Sequence, residues 1–188
     1  MTEQIPVYSP EKREIPADDN ARKFVTGAID PEFLRGADAT VFLLITDWLQ
    51  IGNHEIKLVC KKYENGNVEY LRIEKIRSGT DTKVPPKQKL TPEQYHELLE
   101  TSELKLHAEK VRHEFTYSQN GIDFSLKYDV FVDSILKMLE VDAASDEQRL
   151  AFDDKDKNLP FDELQEVTGK EKYYGYQIVD ELQRLKQG

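Results

Sequence analysis

The run HEFTYSQNGIDFSLKYDVF (His113–Phe131), followed by ILKMLEVDA (Ile135–Ala143) and ELQEVTGKEKYYGYQI (Glu163–Ile178), decides the fold. Each piece alternates apolar and polar residues, the two-residue period of a strand with unlike faces. Lys127 and Asp129 share a face, opposite Leu126, Tyr128 and Val130. Glu140 and Asp142 share a face, opposite Leu139 and Val141. Gln119–Asn120–Gly121 supplies a hairpin turn between this strand and LHAEKVRHEFTY before it, because Asn and Gly tolerate positive φ. The pattern is that of an antiparallel sheet with a charge-bearing face.

The same pattern extends toward the N-terminus. HEIKLVCKKY (His54–Tyr63) and NVEYLRIEKI (Asn67–Ile76) flank the turn Asn65–Gly66–Asn67 and read as a hairpin. ATVFLLITDWLQI (Ala39–Ile51) is one buried strand or two, and ARKFVTGA (Ala21–Ala28) a short one. In LTPEQYHELLETSEL (Leu90–Leu104), Thr91 can cap a helix, Pro92 suits its first position and Gln94 completes a capping box. Its buried stripe is Tyr95, Leu98 and Leu99. Asp30–Ala37 predicts a turn or two of helix. The closing YGYQIVDELQRLK is amphipathic through Ile178, Val179, Leu182 and Leu185. Ser78–Pro86 reads as a loop, and Ser145–Asn158 as an exposed loop or surface helix with a solvated acidic run at Asp153–Asp156. Residues 1–18, with Pro6, Pro10 and Pro16 among charges, predict a flexible arm. Residues 19–188 then form a single domain. Six to eight strands with two firm helices give an α+β plan on a twisted antiparallel sheet or barrel.

Composition narrows the function. The 188 residues carry a formal charge of −10, with 33% charged and 38% hydrophobic residues. That balance speaks against general binding of nucleic acid or anionic membrane, both of which need a basic footprint. A local basic pocket for a small anion remains open. One cysteine, Cys60, excludes a disulfide framework and a cysteine zinc site. It reads as core. ATVFLLI is too short to span a bilayer, and the first twenty residues lack the apolar core of a signal peptide. The cytoplasm is the expected compartment.

The strand charges admit two readings. Glu55, Lys57, Val59 and Lys61 share a face, as do Tyr70, Arg72 and Glu74, and Lys110 with Arg112. Such alternation suits the solvated side of a one-sided sheet. The alternative, less favoured by periodicity alone, is a barrel whose lining Lys and Arg grip phosphate oxygens and whose paired carboxylates hold a hard divalent cation.

Four short motifs, in order, carry a resemblance. Lys110-Val111-Arg112 matches a K-x-R strand. Leu126-Lys127-Tyr128-Asp129-Val130-Phe131 is similar to W-x-I-D-x-F, and Leu139-Glu140-Val141-Asp142 to A-E-x-E. Glu166-Val167-Thr168-Gly169 with Tyr173 resembles E-V-T-x-x-x-x-Y. Together they resemble the C-terminal half of the CYTH family, the triphosphate tunnel enzymes. The N-terminal half departs from that family. Its E-x-E-x-K falls on Asp19, Ala21 and Lys23; its R-x-R on Glu55 and Lys57; its T-x-K on Arg72 and Glu74, with Lys75 on the wrong face; and its E-x-E on Lys87 and Lys89.

The resemblance implies an eight-stranded antiparallel β-barrel, or tunnel, flanked by helices. It implies phosphate contacts from Lys23, Lys57, Arg72, Lys110 and Arg112 to a small phosphorylated anion, a triphosphate or organic phosphate. It also implies Mg2+ or Mn2+ on Glu140, Asp142 and Glu166, and metal-dependent hydrolysis of inorganic or thiamine triphosphate. The lost carboxylates imply the alternative, a catalytically degenerate binding or interaction module without hydrolase activity. No nucleic acid or membrane partner is expected. Catalytic residues and oligomeric state are not encoded in these motifs. His54, His96, His107 and His113 lack metal-ligand spacing, there is no P-loop or nucleophile elbow, and Trp48 reads as core.

Overall fold

The computed structural model describes residues 21–78, 81–132, 134–173 and 175–187. The expected arm at residues 1–18, with Asp19 and Asn20, lies outside them. Ten strands and four α-helices follow in the order β1 (Arg22–Thr26), α1 (Pro31–Gly36), β2 (Thr40–Gln50), β3 (His54–Tyr63), β4 (Val68–Ser78), β5 (Asp81–Lys83), β6 (Gln88–Leu90), α2 (Pro92–Thr101), β7 (Leu106–Gln119), β8 (Ile122–Phe131), β9 (Lys137–Asp142), α3 (Asp146–Ala151), β10 (Leu164–Glu166) and α4 (Gly175–Gln187). A single 3-10 turn, Glu171–Tyr173, precedes α4. The antiparallel α+β plan is present.

The chain divides into two compact units. One holds residues 21–40, 113–130 and 134–173; the other holds the described part of 41–112, residues 131–132 and 175–187. Strand β7 contributes Leu106–Arg112 to the second unit and His113–Gln119 to the first.

In the first unit the strand order is β10-β1-β9-β8, with β7 next to β8. Register sets the faces. Phe24 lies opposite Leu139, which lies opposite Tyr128, and Arg22 opposite Val141, opposite Leu126. These residues face one way and join Phe115, Phe124 and Phe152 in a core where Phe24, Phe124, Leu126 and Leu139 are fully buried. Each large apolar side chain so buried contributes about 1.5–3 kcal/mol relative to exposure. The Phe124 and Phe152 rings meet edge-on at 5.2 Å. The short α3 is capped by Ser145, whose hydroxyl accepts from the Gln148 amide, and its C-terminal neighbour Phe152 is core. The expected solvated stretch Ser145–Asn158 therefore carries a buried anchor.

In the second unit the order is β7-β2-β3-β4-β5, with β6 also paired to β4. On one face Leu58, Cys60 and Tyr95 are buried with Ile45, Tyr70, Leu98 and Leu99. Helix α2 covers this face, with its capping box of Thr91 and Gln94 in place. The other face has its own apolar cluster of Phe42, Leu44, Val59 and Leu71. In α4, Ile178 and Val179 are buried, whereas Leu185 is 70% exposed, so the apolar stripe is shorter than its sequence suggests.

Three expectations change. Asp81–Lys83, inside the expected loop, is a short strand on the end of β4. The alternation of Glu163–Ile178 yields only three residues of strand, because Gly169 takes φ +78° and turns the chain. Ten strands replace the eight expected, and neither unit closes a barrel by its own strand pairing among the described residues.

Candidate functional site

Arg22, which the motifs passed over, anchors the first unit. Its guanidinium donates from Nε to Glu166 Oε1 at 2.8 Å and from Nη2 to Glu166 Oε2 at 2.8 Å. Nη2 also meets Asp154 Oδ1 at 2.9 Å, and Nη1 donates to the Phe152 carbonyl at 2.6 Å. The guanidinium carbon lies 5.0 Å from the Phe24 ring centroid. Burial alone would lower the Arg22 pKa, but the hydrogen bonds it donates to Glu166 and Asp154 hold it above its ordinary value. Burial likewise raises the Glu166 carboxyl, and Arg22 with Thr168 outweighs it, leaving Glu166 below the usual range.

The closing motif thus works as a clasp. The Thr168 hydroxyl donates to Glu166 Oε1 at 2.8 Å and accepts from the Lys23 amide at 2.8 Å. The Val167 amide donates to the Lys23 carbonyl at 2.8 Å.

The three carboxylates expected to hold a metal are not brought together. Glu166 lies opposite Phe24 and shares the core-side face with Arg22. Glu140 lies opposite Lys23 on β1 and Lys127 on β8, so it points to the reverse face. Asp142 shares that reverse face, with Lys127 Nζ 2.5 Å from Asp142 Oδ2 and 3.8 Å from Glu140 Oε1. Asp129 follows on the same face, opposite Met138, and is buried. Among the described residues no three His, Cys, Asp or Glu side chains form a group that could hold a metal ion. The expected donor set does not fit a divalent cation, because its members lie on two faces and each is ion-paired to a basic side chain.

In the second unit register assigns the expected phosphate contacts differently. Lys57 lies opposite Ile73 and Trp48, and Glu55 opposite Lys75. Lys75 therefore shares the Lys57 face and is not on the wrong one. Arg72 lies opposite Leu58, on the α2 side, where it is ion-paired to Glu74. Arg72 and Lys57 therefore lie on opposite faces, because a one-residue offset in a strand moves a side chain to the other face. His107 reaches Asp47 on the α2 side, with Nδ1 2.6 Å from Asp47 Oδ1. Lys110 and Arg112, at odd spacing from His107, alternate to the Lys57 face. Lys110 Nζ lies 5.4 Å from the Phe131 ring centroid.

This face is basic. Among the described strand residues it carries Lys57, Lys61, Lys75, Arg77, Lys110 and Arg112, with Lys89 opposite Leu71, against Glu55 and Glu69. Glu55 is 1% exposed. It accepts from Trp48 Nε1 at 3.2 Å and from both Arg77 terminal nitrogens at 3.1 Å, with Lys57 Nζ at 3.7 Å. Burial pushes its pKa up, but Lys57, Arg77 and the indole N–H leave it below the ordinary value. Gly175, the first residue of α4, lies against the same carboxylate. A helix N-terminus favours negative charge.

A second polar cluster lies on the α2 side. Asp47 is 5% exposed. Its Oδ2 accepts from the Tyr95 hydroxyl at 3.1 Å, and His107 Nε2 lies 3.2 Å from Glu109 Oε1. Burial and Asp47 push the Tyr95 phenol up.

Two antiparallel units share the long strand β7, and within the first a Glu-Val-Thr clasp ties β10 to β1. Structural likeness to a solved protein supports the CYTH-like, or triphosphate tunnel, fold for this arrangement. The chain is similar to the crystal structure of the inorganic triphosphatase NE1496, with a TM-score of 0.55, 20% identity, and coverage of 85% of this chain and 95% of that one. At that identity the likeness speaks for the fold alone. No protein-family model matches the chain, and no curated protein sequence does. No helix among the described residues is long and apolar enough to cross a membrane.

Proposed function

We propose that this protein is a CYTH-fold module that binds a small phosphorylated anion, a triphosphate or organic phosphate, and does not hydrolyse it. The observation that carries this reading is the basic face of the second unit on a chain of net charge −10. Lys57, Lys110 and Arg112 are retained as phosphate contacts, Lys75 joins them and Arg72 leaves. Lys23 belongs to the first unit. Charge-assisted hydrogen bonds from such groups to phosphate oxygens are the strong class, and an acidic chain gains from concentrating its cations on one face. Loss of hydrolysis follows from the carboxylates, since Glu140, Asp142 and Glu166 already have cationic partners. A cytoplasmic location belongs to the same proposal.

A metal-dependent triphosphatase is the second reading, favoured by the likeness to an inorganic triphosphatase. The test is calorimetric titration with tripolyphosphate and thiamine triphosphate, run beside phosphate release in Mg2+ and Mn2+. Binding without release is expected. Release with either metal would establish the second reading, and absence of binding to both ligands would overturn the anion-binding one.

A further inference from the structure

Glu140 and Asp142 stand two residues apart on β9 and face the same way. Lys127 lies directly opposite Glu140, with its ammonium 2.5 Å from Asp142 and 3.8 Å from Glu140. Lys23 lies opposite Glu140 from the other neighbouring strand. Lys23 and Lys127 thus supply counter-charge to Glu140 and Asp142 on a face that also carries Asp129. A Lys ammonium is a compact, strongly hydrated point charge, the side chain nearest in electrostatic character to a small hard cation. A divalent ion approaching the pair would have to displace Lys127 or sit beside it against like-charge repulsion. Paired carboxylates elsewhere serve as hard-cation ligands; here the counter-charge is part of the fold.

We propose that Lys127 is a built-in cation taking the place of a divalent metal on the Glu140–Asp142 pair, so that both the fold and its anion binding are independent of divalent ions. The folding half stands on the geometry of β1, β8 and β9. The anion half rests on the function proposed above.

The experiment titrates Mn2+ into the wild-type protein, Glu140→Gln, Lys127→Met and Lys127→Met/Glu140→Gln by calorimetry, and reads thermal unfolding of each in Mn2+ and in EDTA. The wild type is expected to show no Mn2+ binding and one Tm in both buffers. Lys127→Met is expected to bind Mn2+ at least about tenfold more tightly than wild type and to gain Tm in Mn2+, because a ligand binding only the native state stabilises it. Adding Glu140→Gln is expected to remove both effects. Wild-type Mn2+ binding that Glu140→Gln abolishes would overturn the proposal, as would a folded Lys127→Met that gains no Mn2+ affinity. Should Lys127→Met not fold, the wild-type and Glu140→Gln titrations decide: absent binding in both supports it, and binding lost with Glu140 overturns it. Tripolyphosphate titrated in EDTA tests the anion half. Binding that persists supports it, and binding that requires added Mn2+ overturns it. Failure to bind under either condition defeats the proposed function while leaving the Mn2+ result intact.

Discussion

Arg22 and Glu166, 144 residues apart in sequence, meet through two parallel hydrogen bonds of 2.8 Å each. The contact joins the first and last strands of one unit across Phe24. Removing one partner strands the other's charge beside a core. Breaking a fully buried pair costs about 3–5 kcal/mol. Glu166 is one-third exposed, so Arg22→Met is expected to lose roughly 2–4 kcal/mol. Denaturant unfolding would read this as a lower midpoint at unchanged slope. Arg22→Met/Glu166→Leu is expected to recover part of the loss, and a double variant as unstable as the sum of the singles would show that the pair is not coupled.

The two faces of the β3–β4 hairpin separate Lys75 from Arg72. Lys75→Ala is expected to weaken tripolyphosphate binding by about tenfold, the order of one charge-assisted hydrogen bond. Arg72→Ala, on the α2 side, is expected to change it by less than about twofold. Calorimetric Kd values for the two variants decide between the faces. An Arg72→Ala effect equal to that of Lys75→Ala would contradict the assignment.

Much of this arrangement is legible in the sequence, and the remainder fails for a common reason. The capping box at Thr91 and Gln94, the Asn65–Gly66 hairpin and the core position of Cys60 depend on neighbours within a few residues, so local pattern suffices. The four C-terminal motifs carry the fold because their order is global even though each is short. Arg22 is invisible in the sequence: it is one more basic residue before Lys23, and its partners Asp154 and Glu166 arrive more than 130 residues later. Glu166 and Glu140 look equivalent as strand carboxylates. Only the opposing registers of β10 and β9 on β1 put them on opposite faces. Lys75 was recoverable, because a two-stranded hairpin about Asn65–Gly66 aligns odd-numbered residues with odd ones.

The Glu55 carboxylate meets Arg77 and Lys57, two cations of the face proposed to bind the anion. Glu55→Gln keeps the shape and an acceptor for the Trp48 N–H while removing the negative charge. Tripolyphosphate affinity is expected to rise several-fold, about the effect of deleting one nearby like charge, with some loss of stability as Arg77 loses its partner. Weaker binding by a folded Glu55→Gln would show that Glu55 organises the face rather than competing with the ligand. Because the folded Glu55 pKa is lowered, its stabilising contribution is present above its ordinary value of 4.5 and lost as pH falls through the folded pKa.

The Asp47–His107 contact has the opposite sign. Burial alone would lower the His107 pKa, and Asp47 with Glu109 raises it above 6.5. Its contribution is therefore full below that value and fades as pH rises through the folded pKa. Wild type compared with His107→Gln should diverge in Tm below pH 6.5 and converge above the folded pKa. A gap that widens with rising pH would exclude this account.

Neither unit is a continuous piece of chain. The second unit takes β2 through the first half of β7, then waits for α4, the last of the described elements. On a ribosome moving at about 5–20 residues per second, that interval lasts several seconds. During it the nascent sheet carries Glu55 without the helix whose start lies against it. Vectorial synthesis cannot finish one unit before beginning the other. Neither unit can be cut out, duplicated or recombined as one uninterrupted segment of chain.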